Sequence, residues 1–166
     1  MTFADLSDGA TIFLDANIFV YHFAQHPTFG AACTSLLDRI ERQELDGFTS
    51  THVLSETAHR LMTLEACTAF SWPYAGIANR LKRQPQELQK LTRFRQAIEF
   101  IVASRIHLLT ISGDRIVDAT AISQQTGLLS NDALIVAIMQ HQELANLGSC
   151  DADFDRIFEL TRFAPT

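Results

Sequence analysis

The chain has 166 residues, 47% of them hydrophobic and 19% charged, and a net charge of −6. This length suits one domain with a single core, and the composition excludes a disordered or fibrous chain. The acidic balance excludes a protein that coats nucleic acid by bulk attraction.

The first predicted element is residues 11–15, a short apolar run that reads as a buried strand delivering Asp15 at its C-terminal end. An amphipathic helix is expected over about 31–43, with Leu36, Leu37 and Ile40 inward. Asp46-Gly47 reads as a break before a second strand at Phe48-Thr49. Ser50 or Thr51 then caps a helix whose apolar face is Val53, Leu54, Thr57, Ala58, Leu61 and Met62. Glu56 falls well away from that face and is free of packing duty. Residues 71–101 are punctuated by Pro73, Gly76 and Pro85 and read as a helical insertion. A strand is expected at 107–111, then helices near 116–125 and 131–141 with Gly127 between them. The second of these is apolar nearly all round over 133–139, which predicts deep burial. Strands at 144–147 and 158–163 complete the pattern. Alternating strands and helical crossovers predict one α/β domain over 1–166, with a mainly parallel sheet and helices on both faces.

Asp15 and Asp151 each follow a short apolar strand, and the C-terminal strand ends of a parallel sheet face one crevice. Asp132 lies in the first turn of the most apolar helix and Glu56 in an early turn of its own, so four carboxylates are placed to converge. Bland roles compete: a cap or turn for Asp132 and Asp151, a solvated helix position for Glu56. Asp15 is harder to set aside. Flanked by Ile12-Phe13-Leu14 and Ile18-Phe19-Val20, its charge costs burial energy unless it has partners. Clustered carboxylates cannot all ionise uncompensated, and a hard divalent cation such as Mg2+ or Mn2+ resolves the conflict. That arrangement suits phosphodiester hydrolysis.

These residues form a pattern. Phe13-Leu14-Asp15-Ala16-Asn17-Ile18-Phe19 resembles the opening motif of PIN domains, and Ser55-Glu56 resembles the second. The run from Gly127 to Ile135, with Asn131-Asp132, resembles the third motif, and Gly148-Ser149-Cys150-Asp151-Ala152-Asp153-Phe154 the fourth. In order and at similar intervals, the set spans about residues 11–158. The branch it resembles is the VapC-type toxins of type II toxin–antitoxin pairs. The resemblance implies a three-layer α/β/α fold and an Mg2+- or Mn2+-dependent endoribonuclease. It also implies a homodimer silenced by a small VapB-like antitoxin. It makes Asp15, Glu56, Asp132 and Asp151 the metal site, with Asn17 in support. Asp153 is a fifth ligand or a group behind the ligands, and Ser149 holds a carboxylate or simply ends its strand.

Charge is segregated along the chain. Arg80, Lys82, Arg83, Lys90, Arg93 and Arg95 stand against Glu87 alone, which gives that stretch +5 and leaves −11 elsewhere. The six cations are expected to steer RNA phosphates toward an acidic hole, the alternatives being a solvated face or pairing with an acidic antitoxin. Trp72 and Tyr74 read as packing residues before base-stacking ones. His52, His59 and His107 lack HxxH or HExxH spacing and read as structural. Cys33, Cys67 and Cys150, odd in number and without CxxC spacing, read as reduced, mostly buried thiols. With no secretory leader or bilayer-length run, a cytoplasmic protein is expected.

Other readings fare worse. A haloacid-dehalogenase phosphatase needs a general-acid Asp where this chain has Asn17. A phosphorelay receiver needs a strand-terminal Lys that is not evident. The rival from another class is an inactive PIN fold serving only as an RNA- or protein-binding module.

Overall fold

The computed structural model describes residues 1–166. Five short strands, β1 (Thr11–Leu14), β2 (Asp46–Ser50), β3 (His107–Leu109), β4 (Asn146–Gly148) and β5 (Thr161–Phe163), form one sheet in the order β3-β2-β1-β4-β5. Every pairing is parallel. Eight helices join them: α1 (Ala16–Phe23), α2 (Gly30–Glu41), α3 (Thr51–Phe70), α4 (Ile77–Arg83), α5 (Pro85–Leu88), α6 (Arg93–Ala103), α7 (Gly113–Thr126) and α8 (Ser130–His141). Helices α1, α2, α3 and α6 pack as one group and α7 with α8 as another, so the α/β class and layering follow expectation. Parallel strands need cover on both faces. Accordingly Ile12, Phe13 and Leu14 of the central strand are completely buried, within a core of 30 residues running from Phe3 to Phe163.

Several boundaries differ from the sequence reading. Asp46-Gly47 is no break but the start of β2, because Gly47 lies against the Ile40 side chain. A Cβ there would come within 2.7 Å of Ile40 Cδ1. Helix α1 has no counterpart among the expected elements. The last strand is shorter than expected: Phe158 is fully exposed in a turn, and pairing begins only at Thr161. Gly127 does separate α7 from α8, at φ +74, as a left-handed C-terminal cap.

Helix α3 begins as its sequence dictates. The Ser50 hydroxyl accepts from the Val53 N–H at 3.3 Å, and Val53, Leu54, Thr57 and Leu61 turn inward. At 20 residues it is about 30 Å long, so its far half extends well away from its capped start. That far half carries the insertion. Ala66 packs with Ile77, Leu81 and Leu91 in a small satellite cluster. Glu65 caps α6 from outside, accepting the N–H groups of Thr92, Arg93 and Phe94 at 2.9, 3.1 and 3.0 Å. No helix is long and apolar enough to cross a membrane.

Candidate active site

Strand β1 pairs with β4 through Leu14 and Gly148, which brings Asp15 beside Ser149 just past the strand ends. Asp15 is only 7% exposed and caps α1. One carboxylate oxygen accepts the Ala16 N–H at 2.6 Å, and the other accepts from the Asn17 amide and from the Ser149 hydroxyl at 2.7 Å. Asn17 Nδ2 also donates to Ser149 Oγ at 3.0 Å, and Asn17 Oδ1 accepts from the Cys150 N–H at 3.1 Å. Ser149 Oγ accepts a further bond from the Asp151 N–H at 3.0 Å, so its one donor and two acceptor sites are all used. The two open roles for Ser149 thus resolve toward holding a carboxylate. Burial nevertheless raises the Asp15 pKa to about 6. The Ser149 and Ala16 hydrogen bonds oppose that rise, the Glu56 charge adds to it, and the Arg60 charge opposes it.

Asp132 is the contrasting acid. It sits half-buried in the first turn of α8 and makes no hydrogen bond, while the residue at the cap position, Leu129, has no capping side chain. Burial, then the charges of Asp151, Glu56 and Asp153, push its pKa up to about 6. Asp132 therefore senses Glu56 from α3 and two acids from the turn after β4, and Asp15 senses Glu56. The acids that the sequence singled out come together at the C-terminal edge of the sheet. As positioned, no three His, Cys, Asp or Glu side chains form a group that holds one ion. The donors are carboxylate oxygens, which suit Mg2+ or Mn2+, and Mg2+ is commonly held by one or two carboxylates with waters filling its shell.

The turn carrying Asp151 is tied down by local bonds. Asp151 does act as a cap, accepting the Asp153 N–H at 2.8 Å at the start of a 3-10 turn, Ala152–Arg156. Asp153 pairs with Arg156 at 2.7 Å, which occupies one of its oxygens. Arg162 on β5 forks Asp155 at 2.7 and 2.9 Å and donates to the Ser149 carbonyl at 3.2 Å. Sequence reasoning missed both Arg162 and Arg60. Arg60 had a signal, since it follows Glu56 by four residues on one helix face and lies 3.6 Å from it. Arg162 had none.

The basic stretch is not brought to the acids. It packs on the far half of α3, around Glu65 and Ala66, about 15 Å along the helix from Glu56. Lys90 pairs with Glu87 at 2.8 Å, Arg95 with Glu99 at 3.1 Å, and Arg80 lies over the Trp72 ring at 4.1 Å. Lys82, Arg83 and Arg93 are exposed and form no ion pair. Trp72 packs on Phe70 as expected, but Tyr74 is 62% exposed and packs little. His107 stacks on Phe48, His59 is exposed, and His52 has a buried Nε2 without a partner. Cys33 is buried, Cys67 and Cys150 only partly, and all three are free thiols.

No curated protein sequence matches the chain. Among solved structures, the chain is similar to VapBC2 from Rickettsia felis bound to a promoter DNA fragment, at a TM-score of 0.56 and 19% identity over 94% of this chain and 99% of that one. It is similar to the sarcin–ricin-loop-cleaving toxin VapC20 of Mycobacterium tuberculosis, at 0.55 and 18% over 87% and 92%. It is also similar to a toxin–antitoxin complex from Klebsiella pneumoniae, at 0.51 and 20% over 90% and 95%. Likenesses at this identity establish the fold. The sequence model of the PIN domain matches residues 12–160, a span that takes in all five acids of the site, and with that match the chain belongs to the PIN domain family.

Proposed function

We propose that this chain is a divalent-cation-dependent endoribonuclease and the toxin of a type II toxin–antitoxin pair. The observation that carries the reading is the gathering of Asp15, Glu56, Asp132 and Asp151 at one sheet edge, where Asp132 stays half-buried among like charges without a compensating bond. The PIN family match and the likeness to a sarcin–ricin-loop-cleaving toxin support it.

In this reading the four acids hold Mg2+ or Mn2+, with Asp153 behind them. An ion held there would supply Lewis acidity toward water and phosphate oxygen. The chain's own residues do the positioning. Asn17 and Ser149 lock the Asp15 carboxylate, whose roughly four lone-pair sites are three-quarters occupied, leaving one direction open to a ligand. Glu56 and Asp132 bring charge uncommitted to hydrogen bonds, so it stays available at the crevice. Lys82, Arg83 and Arg93 supply the long-range attraction for RNA that an acidic body lacks, with Arg80, Lys90 and Arg95 contributing less because each is already paired or stacked. The protein partner is a small VapB-like antitoxin, in keeping with the toxin–antitoxin complexes that share the fold, and the assembly is a two-fold homodimer.

The test is cleavage of RNA by purified protein with Mg2+ or Mn2+, in chelator, and with Asp15→Asn. Cleavage that needs the metal and vanishes in the variant supports the enzyme. Binding of RNA without cleavage under every metal condition would favour the binding-module alternative.

A further inference from the structure

Three arginines border the carboxylate cluster, all in ion pairs, and two are also hydrogen-bonded. Arg156 is taken by Asp153, and Arg162 by Asp155 and the Ser149 carbonyl. Arg60 differs. Its nearest acidic oxygen, on Glu56, lies 3.6 Å away, beyond hydrogen-bonding distance, and its guanidinium donates to no other group. The two residues are one turn apart on α3, so Arg60 occupies the same stripe as the glutamate of the site. Its charge also acts on buried Asp15 and on the Tyr21 hydroxyl, lowering the pKa of each. Its side chain is 35% exposed, so solvent reaches it.

An RNA backbone entering this crevice meets several carboxylates. The arm offsets that only weakly at the point of reaction, because its anchor on α3 is about 15 Å from Glu56, nearly twice the Debye length of about 8 Å at physiological salt. Besides a metal ion held by the acids, a side-chain cation free to hydrogen-bond at the rim of the cluster would favour the phosphate there. Arg60 has a planar fork of five N–H donors, all unused, and that fork matches two phosphate oxygens.

We propose that Arg60 binds the RNA phosphate on which the carboxylate cluster acts, through its guanidinium N–H groups; this rests on the nuclease reading above. It is a substrate-binding residue rather than a partner for Glu56 alone.

The experiment measures binding and cleavage separately. Binding of a fluorescein-labelled single-stranded RNA is followed by anisotropy across a salt series in an Asp132→Asn background. Adding Arg60→Gln is expected to weaken binding about tenfold and to flatten the slope of log affinity against log salt by about 0.7, one phosphate contact on a single strand. Arg60→Lys is expected to keep the slope while losing affinity, because it keeps the charge but not the fork. In the otherwise native protein, Arg60→Gln is expected to lower kcat/KM by about 10- to 100-fold, with the Mg2+ requirement unchanged. An unchanged affinity and slope would overturn the assignment. So would a cleavage defect cured by more Mg2+, which would mean that Arg60 acts through the carboxylates. If Arg60→Gln does not fold, Arg60→Lys decides: affinity and kcat/KM equal to wild type would overturn it. Wild-type protein that binds RNA but never cuts it refutes the nuclease reading, and the binding series then still decides whether Arg60 contacts phosphate.

Discussion

The carboxylate edge and the basic arm hold charge in opposite ways. At the edge, Asp15 from one end of the chain and Ser149 from the other are joined by buried hydrogen bonds, and Asn17 and the Asp151 N–H close the network around them. In the arm, the cations come from one contiguous stretch, and Lys82, Arg83 and Arg93 point their charge into water with nothing orienting it. A buried charge has to be placed, since each unmade bond costs about 1–3 kcal/mol. A solvated one only has to be present. The edge is therefore suited to geometry, and the arm to a field.

The sharpest way to break this contrast is to remove one acid. Asp132→Asn deletes a charge without deleting any hydrogen bond, so the fold should persist while the initial rate of RNA cleavage falls by at least about 100-fold. Ser149→Ala should behave differently, because it strips a donor from Asp15 and an acceptor from both Asn17 and the Asp151 N–H. Cleavage is expected to fall about 10- to 100-fold, accompanied by a loss of about 1–3 kcal/mol in denaturant unfolding. Equal stability of the two variants would refute the view that the edge is held by its buried network.

Two changes in the arm sharpen the other half. Glu65→Ala leaves three N–H groups at the start of α6 without their acceptor, which should cost about 1 kcal/mol and speed hydrogen exchange through the satellite cluster. KM should rise, with kcat little altered, since the carboxylates are remote. Replacing Lys82, Arg83 and Arg93 together by Gln should flatten the salt dependence of RNA affinity by about 2, if each meets a phosphate of a single strand. A slope identical to wild type would show that the arm does not touch RNA.

Both halves were partly legible in the sequence, for different reasons. Asp15 stood out because an acid inside an apolar run demands an explanation, and Glu56 because it falls off the apolar face of its helix. What could not be read was that Asp15 serves two roles at once: it caps α1, a helix whose start carries no other signal. Gly47 misled because glycine punctuates turns far more often than it makes room for a neighbour such as Ile40. The pairing of Arg162 with Asp155 depends on where β5 lies beside β4, which no local pattern encodes. For the arm, the charge was plain but its position was not, because that depends on how far α3 runs before the chain turns back.

The smallest expected effect comes from the burial of Asp132 and the acids around it. Asp132 has its pKa raised from 3.8 to about 6, so between these values the folded protein keeps a proton that the unfolded chain has released. The resulting stabilisation is complete below about pH 4 and is lost as pH rises through about 6, beyond which the ionised Asp132 strains the metal-free protein. Asn cannot ionise. Asp132→Asn should therefore melt higher than wild type at pH 7.5 in chelator, by on the order of 1 kcal/mol once solvent screening of this half-exposed group is allowed for. For a chain of this size that is about 2–4 °C. Near pH 4 the advantage should disappear, because the wild-type side chain is then neutral as well. Saturating Mg2+ at pH 7.5 should narrow the gap from the other side by stabilising wild type more than the variant. A melting difference independent of pH would mean that the substitution acts through packing, and that burial and neighbouring charge do not hold Asp132 in its neutral form.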